Sequence, residues 1–439
     1  MNFPEHISAA LKNLGIASMN EMQQAALEAS AQPNDLILLS PTGSGKTLGF
    51  LLPLLNTLDP DKKAVQALII TPTRELAIQI ESVFRGMGTA FKVNATYGGH
   101  SIRVEENNFS QAPAVLVGTP GRIVDHLNRR NIDLSYVKTL VLDEFDKSLE
   151  MGFQEDMGAI IQKLGSVKKR MLISATDLEV IPEFTRISNP VKLSFLTGVN
   201  TQLTLKKVLS PDTDKLYTLR TLLCNLTSEP TLIFCNHRES VERISDFLSE
   251  SGITNVFFHG GLEQDQRERT LIKFRNGSAN YMVTTDLAAR GLDIPDIQHV
   301  IHYQAPLTED AFIHRNGRTA RQTASGTAYL LLSQNEQQPE YIEDRPEVMK
   351  LNDDKPLPHN PQWTTLYFSG GKKDKINKID LVGFLSKVGQ LEKHDIGLII
   401  VQDYSSFAAV SMRKSAQLMA KIRNEKVKGK KLKIAIAKD

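Results

Sequence analysis

Two cysteines, Cys224 and Cys235, are all the chain has, and no CxxC or His-rich group accompanies them. That scarcity excludes a disulfide framework and a zinc site and fits a reducing compartment. Also missing is any apolar run near the roughly 18 residues that a membrane span needs. The opening Met1-Asn-Phe-Pro-Glu-His6 lacks the basic start and apolar core of a secretion signal. A cytoplasmic protein with no membrane partner is expected. Net charge is nearly absent as well, at +2 over 439 residues, but the balance hides an asymmetry. Residues 363–439 hold 16 Lys and Arg against 7 Asp and Glu, which leaves 36 against 43 elsewhere. So basic a tail reads as a binder of nucleic acid or an anionic surface, or else as a solvated lysine-rich face.

At 439 residues the chain is too long for a single core, and two or three domains are expected. Short apolar runs alternate with helical stretches from Leu36 to Phe195: Leu36–Leu39, Ala67–Ile70, Val115–Val117, Leu140–Leu142 and Met171–Ile173. The pattern restarts with Thr231–Phe234, Val256–Phe258, Tyr281–Val283, His299–Ile301 and Thr327–Leu330. Strand and helix in regular alternation argue for doubly wound parallel sheets, hence two α/β domains. Weak periodicity from Thr197 to Lys207 marks a hinge. Residues 334–362 hold five of the 19 prolines among acidic and amide side chains and read as a linker. Beyond it the order β-α-β-β-α-β is that of ferredoxin-like and RRM domains. The expected domains are 1–203, 204–333 and 363–439.

Two motifs carry chemistry. Asp143-Glu-Phe-Asp146 follows the apolar Thr139–Leu142, so a buried strand delivers acids at its carboxyl end, where parallel sheets place their ligands. Alone, this tetrad fits a solvated acidic loop equally well. Ser40-Pro-Thr-Gly-Ser-Gly-Lys-Thr47 lies between a strand and a helical run, as a phosphate-cradling loop requires. Thr42, Gly43, Ser44 and Gly45 would turn backbone N–H groups toward phosphate, Lys46 would reach the β and γ phosphates, and Thr47 would offer its hydroxyl to Mg²⁺. Ser40 stands where the general pattern wants Gly. Given an ATP site, Asp143 becomes a holder of Mg²⁺ through water, and Glu144 a polariser of the attacking water.

Between and beyond these motifs run Thr71-Pro-Thr-Arg-Glu-Leu76, Gly98-Gly99, Thr119-Pro-Gly-Arg122, Ser174-Ala-Thr176, Thr285–Asp293 and His314-Arg-Asn-Gly-Arg-Thr-Ala-Arg321. The series resembles the DEAD-box RNA helicases over residues 1–333. That resemblance implies two tandem RecA-like parallel-sheet domains followed by a small α+β, RRM-like domain. It implies an RNA-dependent ATPase that closes on one strand and pries short helices apart without walking. Arg318 and Arg321 would act on the γ-phosphate as arginine fingers, whose contribution elsewhere is roughly 10³ to 10⁵ in rate. Asp293 would touch the ribose, Phe3 and Gln23 the adenine, and Ser174 and Thr176 would tie the phosphate site to the RNA side. Arg74, Gly98, Gly99, Thr119, Gly121 and Arg122, with Gln264, Arg267 and Thr284, would contact RNA, mainly through its backbone. Departures are Met19-Asn-Glu-Met22, Phe145 where Ala is usual, and Asn316 and Ala320 where Ile and Gly are usual. Phe145 carries no chemistry and needs an apolar pocket, and Asp146 would link to neighbouring motifs.

In the tail, Leu366-Tyr-Phe-Ser-Gly-Gly371 resembles an RNA-binding signature with Tyr367 in the stacking position, while Asp403–Val410 is a depleted second signature that keeps Phe407. Stacking is therefore expected to give way to charge from Lys372, Lys373, Lys375 and Lys378 and from Lys426, Lys428, Lys430, Lys431 and Lys433. The lysine spacing looks like the carboxyl-terminal domain of the bacterial DbpA/YxiN helicases. That implies a tail that binds a large-subunit ribosomal RNA hairpin during ribosome assembly, and the chain is expected to be a monomer. A broad-range cold-shock or mRNA-turnover helicase and an ATP-gated RNA clamp are the alternatives.

Overall fold

The computed structural model describes residues 4–41, 43–99, 102–178, 180–196, 203–286, 294, 297–319, 326–343 and 345–437. The chain forms two compact units that part near residue 201. Among the described residues no helix is long and apolar enough to cross a membrane.

The first unit holds a seven-stranded sheet. Its strands are β1 Leu36–Leu39, β2 Ala67–Ile70, β3 Val93–Thr96, β4 Val115–Gly118, β5 Thr139–Leu142, β6 Lys169–Ser174 and β7 Val191–Ser194. They run in the order β3-β4-β2-β5-β6-β1-β7, and every pairing is parallel. Strands β1, β2, β4 and β5 are buried on both faces, which is why they read as unbroken Leu, Ile and Val. Two apolar clusters, one around Phe50, Phe84 and Ile69 and the other around Phe145, Ile160 and Leu140, cover the two faces.

The second unit repeats the plan. Its strands are β8 Leu203–Ser210, β9 Thr231–Cys235, β10 Asn255–Phe258, β11 Tyr281–Thr285, β12 His299–His302, β13 Gly326–Ser333 and β14 Glu347–Val348. The order β10-β11-β9-β12-β13-β8-β14 is that of the first sheet, position for position, and is again parallel. Two sequence expectations need correction. Residues 203–207 of the expected hinge belong to β8, which pairs with β13 over eight residues, while 197–202 lie outside the described residues. The proline-rich stretch is no free tether either: it supplies β14 in the place that β7 takes in the first sheet. Its Ile342 is buried with Leu330 and Leu332, and the Tyr341 hydroxyl donates to the Pro306 carbonyl. Proline interrupts regular structure here without preventing packing.

The tail adds β15 Trp363–Phe368, β16 Ile396–Val401, β17 Ser406–Ser411, a small hairpin of β18 Lys426–Val427 with β19 Lys430–Lys431, and β20 Ile434–Ile436. The four long strands form an antiparallel sheet in the order β16-β17-β15-β20. Alternation assigns Leu366, Phe368, Ala408 and Val410 to one face, where helices Lys378–Lys387 and Met412–Ile422 cover them. The other face carries Thr365, Tyr367 and Phe407 and meets the preceding α/β domain. Phe407 and Ala437 are buried with Ile272, and the Thr365 and Ser278 hydroxyls lie 2.8 Å apart. Gln402 Nε2 donates to Glu268 Oε2 at 2.8 Å.

Ile342→Ala should cost about 2–4 kcal/mol of local stability, the usual range for emptying such a site. Hydrogen exchange on the full chain should then show faster exchange of β8 and β13 amides; unchanged protection would make residues 334–362 a mere tether.

Candidate functional site

The expected phosphate loop is braced by its neighbours. Gly45 takes φ +87°, a conformation that side chains resist, and caps helix Lys46–Leu55, whose positive end faces the loop. Lys46 Nζ donates to the Ser40 carbonyl at 2.7 Å, and Ser40 Oγ donates to Ser44 Oγ at 2.7 Å. Ser40 in place of Gly thus adds a cross-loop brace. The Ser40 N–H donates to the Ser174 carbonyl at 3.1 Å.

The unusual Met19–Met22 segment supports the same loop. Asn20 and Gln23 form a reciprocal cap on helix Glu21–Ser30. Asn20 Nδ2 donates to the Ser44 carbonyl at 2.9 Å and Gln23 Nε2 to the Gly45 carbonyl at 3.2 Å, while Met19 and Met22 are buried. Phe3, Thr42, Asp293 and Arg321 lie outside the described residues.

Asp143 and Glu144 emerge from the carboxyl end of β5. The Asp143 carboxyl is buried, and this together with neighbouring Glu144 pushes its pKa up to about 7, against the pull of Lys46. Glu144 has φ +46°, a costly backbone for a side chain that persists where its direction matters. Its Oε2 is buried without a hydrogen-bond partner. Phe145 has no exposed surface and packs against Phe184 with ring centroids 6.2 Å apart, so the expected apolar pocket is present. Thr176 Oγ1 donates to Asp146 Oδ2 at 3.2 Å, and Ser174 Oγ to the Thr176 carbonyl at 2.7 Å. A continuous chain therefore joins the phosphate loop to Asp146.

The expected RNA residues of the first unit gather at the ends of β2, β3 and β4. Arg74 opens helix Arg74–Gly86 behind the Thr73 cap, and Gly98 leaves room for its guanidinium: a Cβ there would meet Nη2 at 3.4 Å. Gly99 shares the turn after β3. Thr119 precedes Pro120 at the start of helix Pro120–Asn128, which also holds Gly121 and Arg122. Arg122 Nε donates to Glu105 Oε2 at 2.8 Å. Hydrogen bonds from His126, Arg122 and Thr96 outweigh the burial of Glu105 and keep its pKa below the usual carboxylate value.

In the second unit, Gln264 begins helix Gln264–Arg275, and the Arg267 guanidinium lies 4.9 Å from the Phe258 ring centroid. Thr284 is buried with its hydroxyl donated to the Phe258 carbonyl at 2.8 Å. Arg318 is buried just beyond helix Glu309–Asn316. Sequence reasoning missed what fixes that helix. Arg315, fully buried, makes a forked pair with Asp286 (Nε–Oδ1 2.5 Å, Nη2–Oδ2 2.7 Å) and donates to Asn236 Oδ1 and the Gln304 carbonyl, each at 2.7 Å. The departure at Asn316 also has a partner. His302, held neutral with a pKa near 3 by burial and by Arg315, donates from Nε2 to Asn316 Oδ1 at 2.9 Å.

In the tail, Tyr367 is half-buried with its ring 5.6 Å from that of Phe407, on the face that meets the α/β domain. This corrects the expectation of an open stacking position. The lysine groups converge instead: Lys428 Nζ reaches the Lys375 carbonyl and Asp380 Oδ2, each at 2.9 Å, and Lys430 Nζ the Asp374 carbonyl at 2.6 Å. Lys372, Lys373 and Lys375 are exposed.

Three family descriptions match the chain: DEAD/DEAH box helicase over residues 20–181, helicase conserved C-terminal domain over 214–323, and DbpA RNA binding domain over 365–436. The ATP-dependent RNA helicase DbpA of Bacillus subtilis is 34% identical, with 98% of this chain and 96% of that protein covered. Its Escherichia coli namesake is 32% identical over the same shares. Among solved structures, Saccharomyces cerevisiae Dbp5 bound to RNA and ADP BeF3 aligns with a TM-score of 0.68 at 26% identity, covering 76% of this chain and 88% of that one.

Phe145→Ala should cost about 3–5 kcal/mol, as emptying a buried aromatic site does. The first unit's urea unfolding midpoint should fall accordingly; a midpoint unchanged from the parent would show that the pocket contributes no packing.

Proposed function

Because the chain belongs to the DEAD-box ATP-dependent RNA helicases, in their DbpA-type branch, we propose that it opens short RNA duplexes locally and non-processively on large-subunit ribosomal RNA or pre-ribosomal particles. The observation that carries the ribosomal address is the tail: it matches the DbpA RNA binding domain, and its two sequence-distant lysine groups form one exposed surface. Phosphate neutralisation by such lysines supplies most of the affinity and makes it fall steeply with salt.

ATP and Mg²⁺ fit the residues present. The Asp143 carboxyl is buried, with Oδ1 accepting from the Glu144 N–H at 3.0 Å, and beside it Glu144 Oε2 is buried without a hydrogen-bond partner. Hard oxygen donors such as Thr47 and Asp143 suit Mg²⁺, which keeps waters and shares itself with substrate phosphates. When bound, the ion would neutralise charge on the β and γ phosphates. Gly43, Ser44 and Gly45 would direct backbone N–H groups at the phosphates, with Thr42, and Lys46 would follow the γ-phosphate. Glu144 would orient and deprotonate the attacking water. Arg318 and Arg321 would supply the finger chemistry, Asp293 the ribose contact, and Gln23 with Phe3 the adenine contact.

RNA enters through contacts that carry little sequence information: Arg74, Gly98, Gly99, Thr119, Gly121 and Arg122 from the first unit, Gln264, Arg267 and Thr284 from the second. Phosphate and sugar contacts position RNA without reading it. Selectivity would then rest with the tail.

Glu144→Gln and Lys46→Ala should each lower RNA-stimulated ATP turnover by about 10²-fold or more, the scale of losing a positioned base or a phosphate clamp. Unchanged phosphate release in either would overturn the assignment of the hydrolytic site. For the address, ATPase measured at fixed salt against a panel of ribosomal fragments should show greater stimulation by a large-subunit hairpin than by unrelated RNA. Lys372→Glu, Lys373→Glu and Lys375→Glu combined should erase that preference; equal stimulation by all RNAs in the parent chain would favour a broad-range helicase.

A further inference from the structure

We propose that the tail takes RNA on the turn between β16 and β17 together with the lysine loops, with Tyr404 as the aromatic on which an unpaired base stacks. The proposal rests on the reading of the tail as a hairpin binder and names the surface that does the binding. Its starting point is that the sheet face, where an RRM-like domain would offer stacking rings, is used up inside the chain. Phe407 is 2% exposed, buried with Ile272 and Ala437. Thr365 is bonded to Ser278 and Asn276, and Gln402 to Glu268. Stacking uses the open face of a ring, and on this side of the sheet Phe407 is buried while Tyr367 is half-buried against the same cluster.

The charge lies elsewhere, and one aromatic lies with it. Lys372 and Lys373 donate their backbone N–H groups to the carbonyls of Gln402 (2.8 Å) and Asp403 (2.9 Å), immediately before Tyr404. That contact is so close that a Cβ on Gly371 would stand 2.2 Å from the Gln402 oxygen, so Gly371 serves to seat the lysine loop on this turn. The far side of the loop is tied to the β18–β19 hairpin through Lys428 and Lys430. Turn, loop and hairpin thus make one basic strip. At its end Tyr404 is 65% exposed, the sole aromatic of the tail more than a third exposed among the described residues. A ring set among phosphate-binding lysines fits an RNA loop, where an unpaired base and its flanking phosphates lie within one span.

Binding of the full chain to a labelled RNA hairpin with an unpaired loop, and to a fully paired duplex of equal length, tests this at one stated salt concentration. Tyr404→Ala should weaken hairpin binding about tenfold or more, the scale of losing one stacked base, and leave duplex binding unchanged. Tyr404→Phe should retain hairpin affinity. Tyr367→Ala should change it less than about twofold, with folding checked by circular dichroism. Hairpin affinity indifferent to Tyr404→Ala but lost in the lysine variant would overturn the stacking role alone. Loss in Tyr367→Ala would return the site to the sheet face. Equal binding of hairpin and duplex by the parent chain would overturn the hairpin reading and this proposal together. Tyr404-dependent binding of polyglutamate would reassign the surface to an acidic protein.

Discussion

A parallel strand buried on both faces can present chemistry only at its carboxyl end, and this constraint organises both α/β units. Strand β5 sits between β2 and β6, with its four residues buried, so the first position open to a ligand is Asp143. The depth that makes β5 central is also what lifts the Asp143 pKa to about 7. Burial thereby creates an acid whose ionised form needs a cation or a donor. The same constraint places the phosphate loop at the end of β1 and the Ser174–Thr176 link at the end of β6. Because β6 lies between β5 and β1, the link can bond to the loop on one side and to Asp146 on the other.

The second sheet repeats the strand order but uses the edge differently. Its corresponding ends hold Asn236, Asp286 and Gln304, whose polar groups converge on Arg315. A buried guanidinium is costly unless its donors are met, and here Nε, Nη1 and Nη2 all have oxygen partners. Arg315 therefore anchors helix Glu309–Asn316, and through it Arg318. The His302–Asn316 bond works to the same end, and Phe312, packed 5.2 Å from the His302 ring and 6.0 Å from that of Tyr341, joins the helix to the proline-rich segment.

What was legible in the sequence follows burial. Central strands such as Leu36–Leu39 and Thr139–Leu142 read as apolar runs because both faces are covered, and the expected phosphate loop and acidic tetrad stand out because backbone geometry demands those residues in that spacing. Edge strands escaped: Val93-Asn-Ala-Thr96 and Val191-Lys-Leu-Ser194 face a neighbour on one side only and tolerate polar residues. β14 is two residues long and is a strand only because β8 is there to pair with it. Arg315 was hidden for another reason. Its partners are 11 to 79 positions away, and no local pattern distinguishes an anchoring arginine from the arginines that follow it.

Tyr367 shows how a motif can mislead about surface. It lies on the face of β15 opposite the tail's own helices, and what sequence could not show is that the preceding α/β domain covers that face. The covering element is the end of helix Gln264–Arg275 and the turn after it, with Ile272, Asn276 and Ser278. Its other end holds Gln264 and Arg267. Glu268, one turn along, accepts from Gln264 through Oε1 at 3.0 Å and from Gln402 of the tail through Oε2 at 2.8 Å. One carboxylate thus bridges the helix end expected to face RNA and the turn that carries Tyr404. Any shift of that turn must either break the Gln402 bond or carry Glu268 with it, so the turn of the tail and the helix end expected to face RNA are coupled through one side chain.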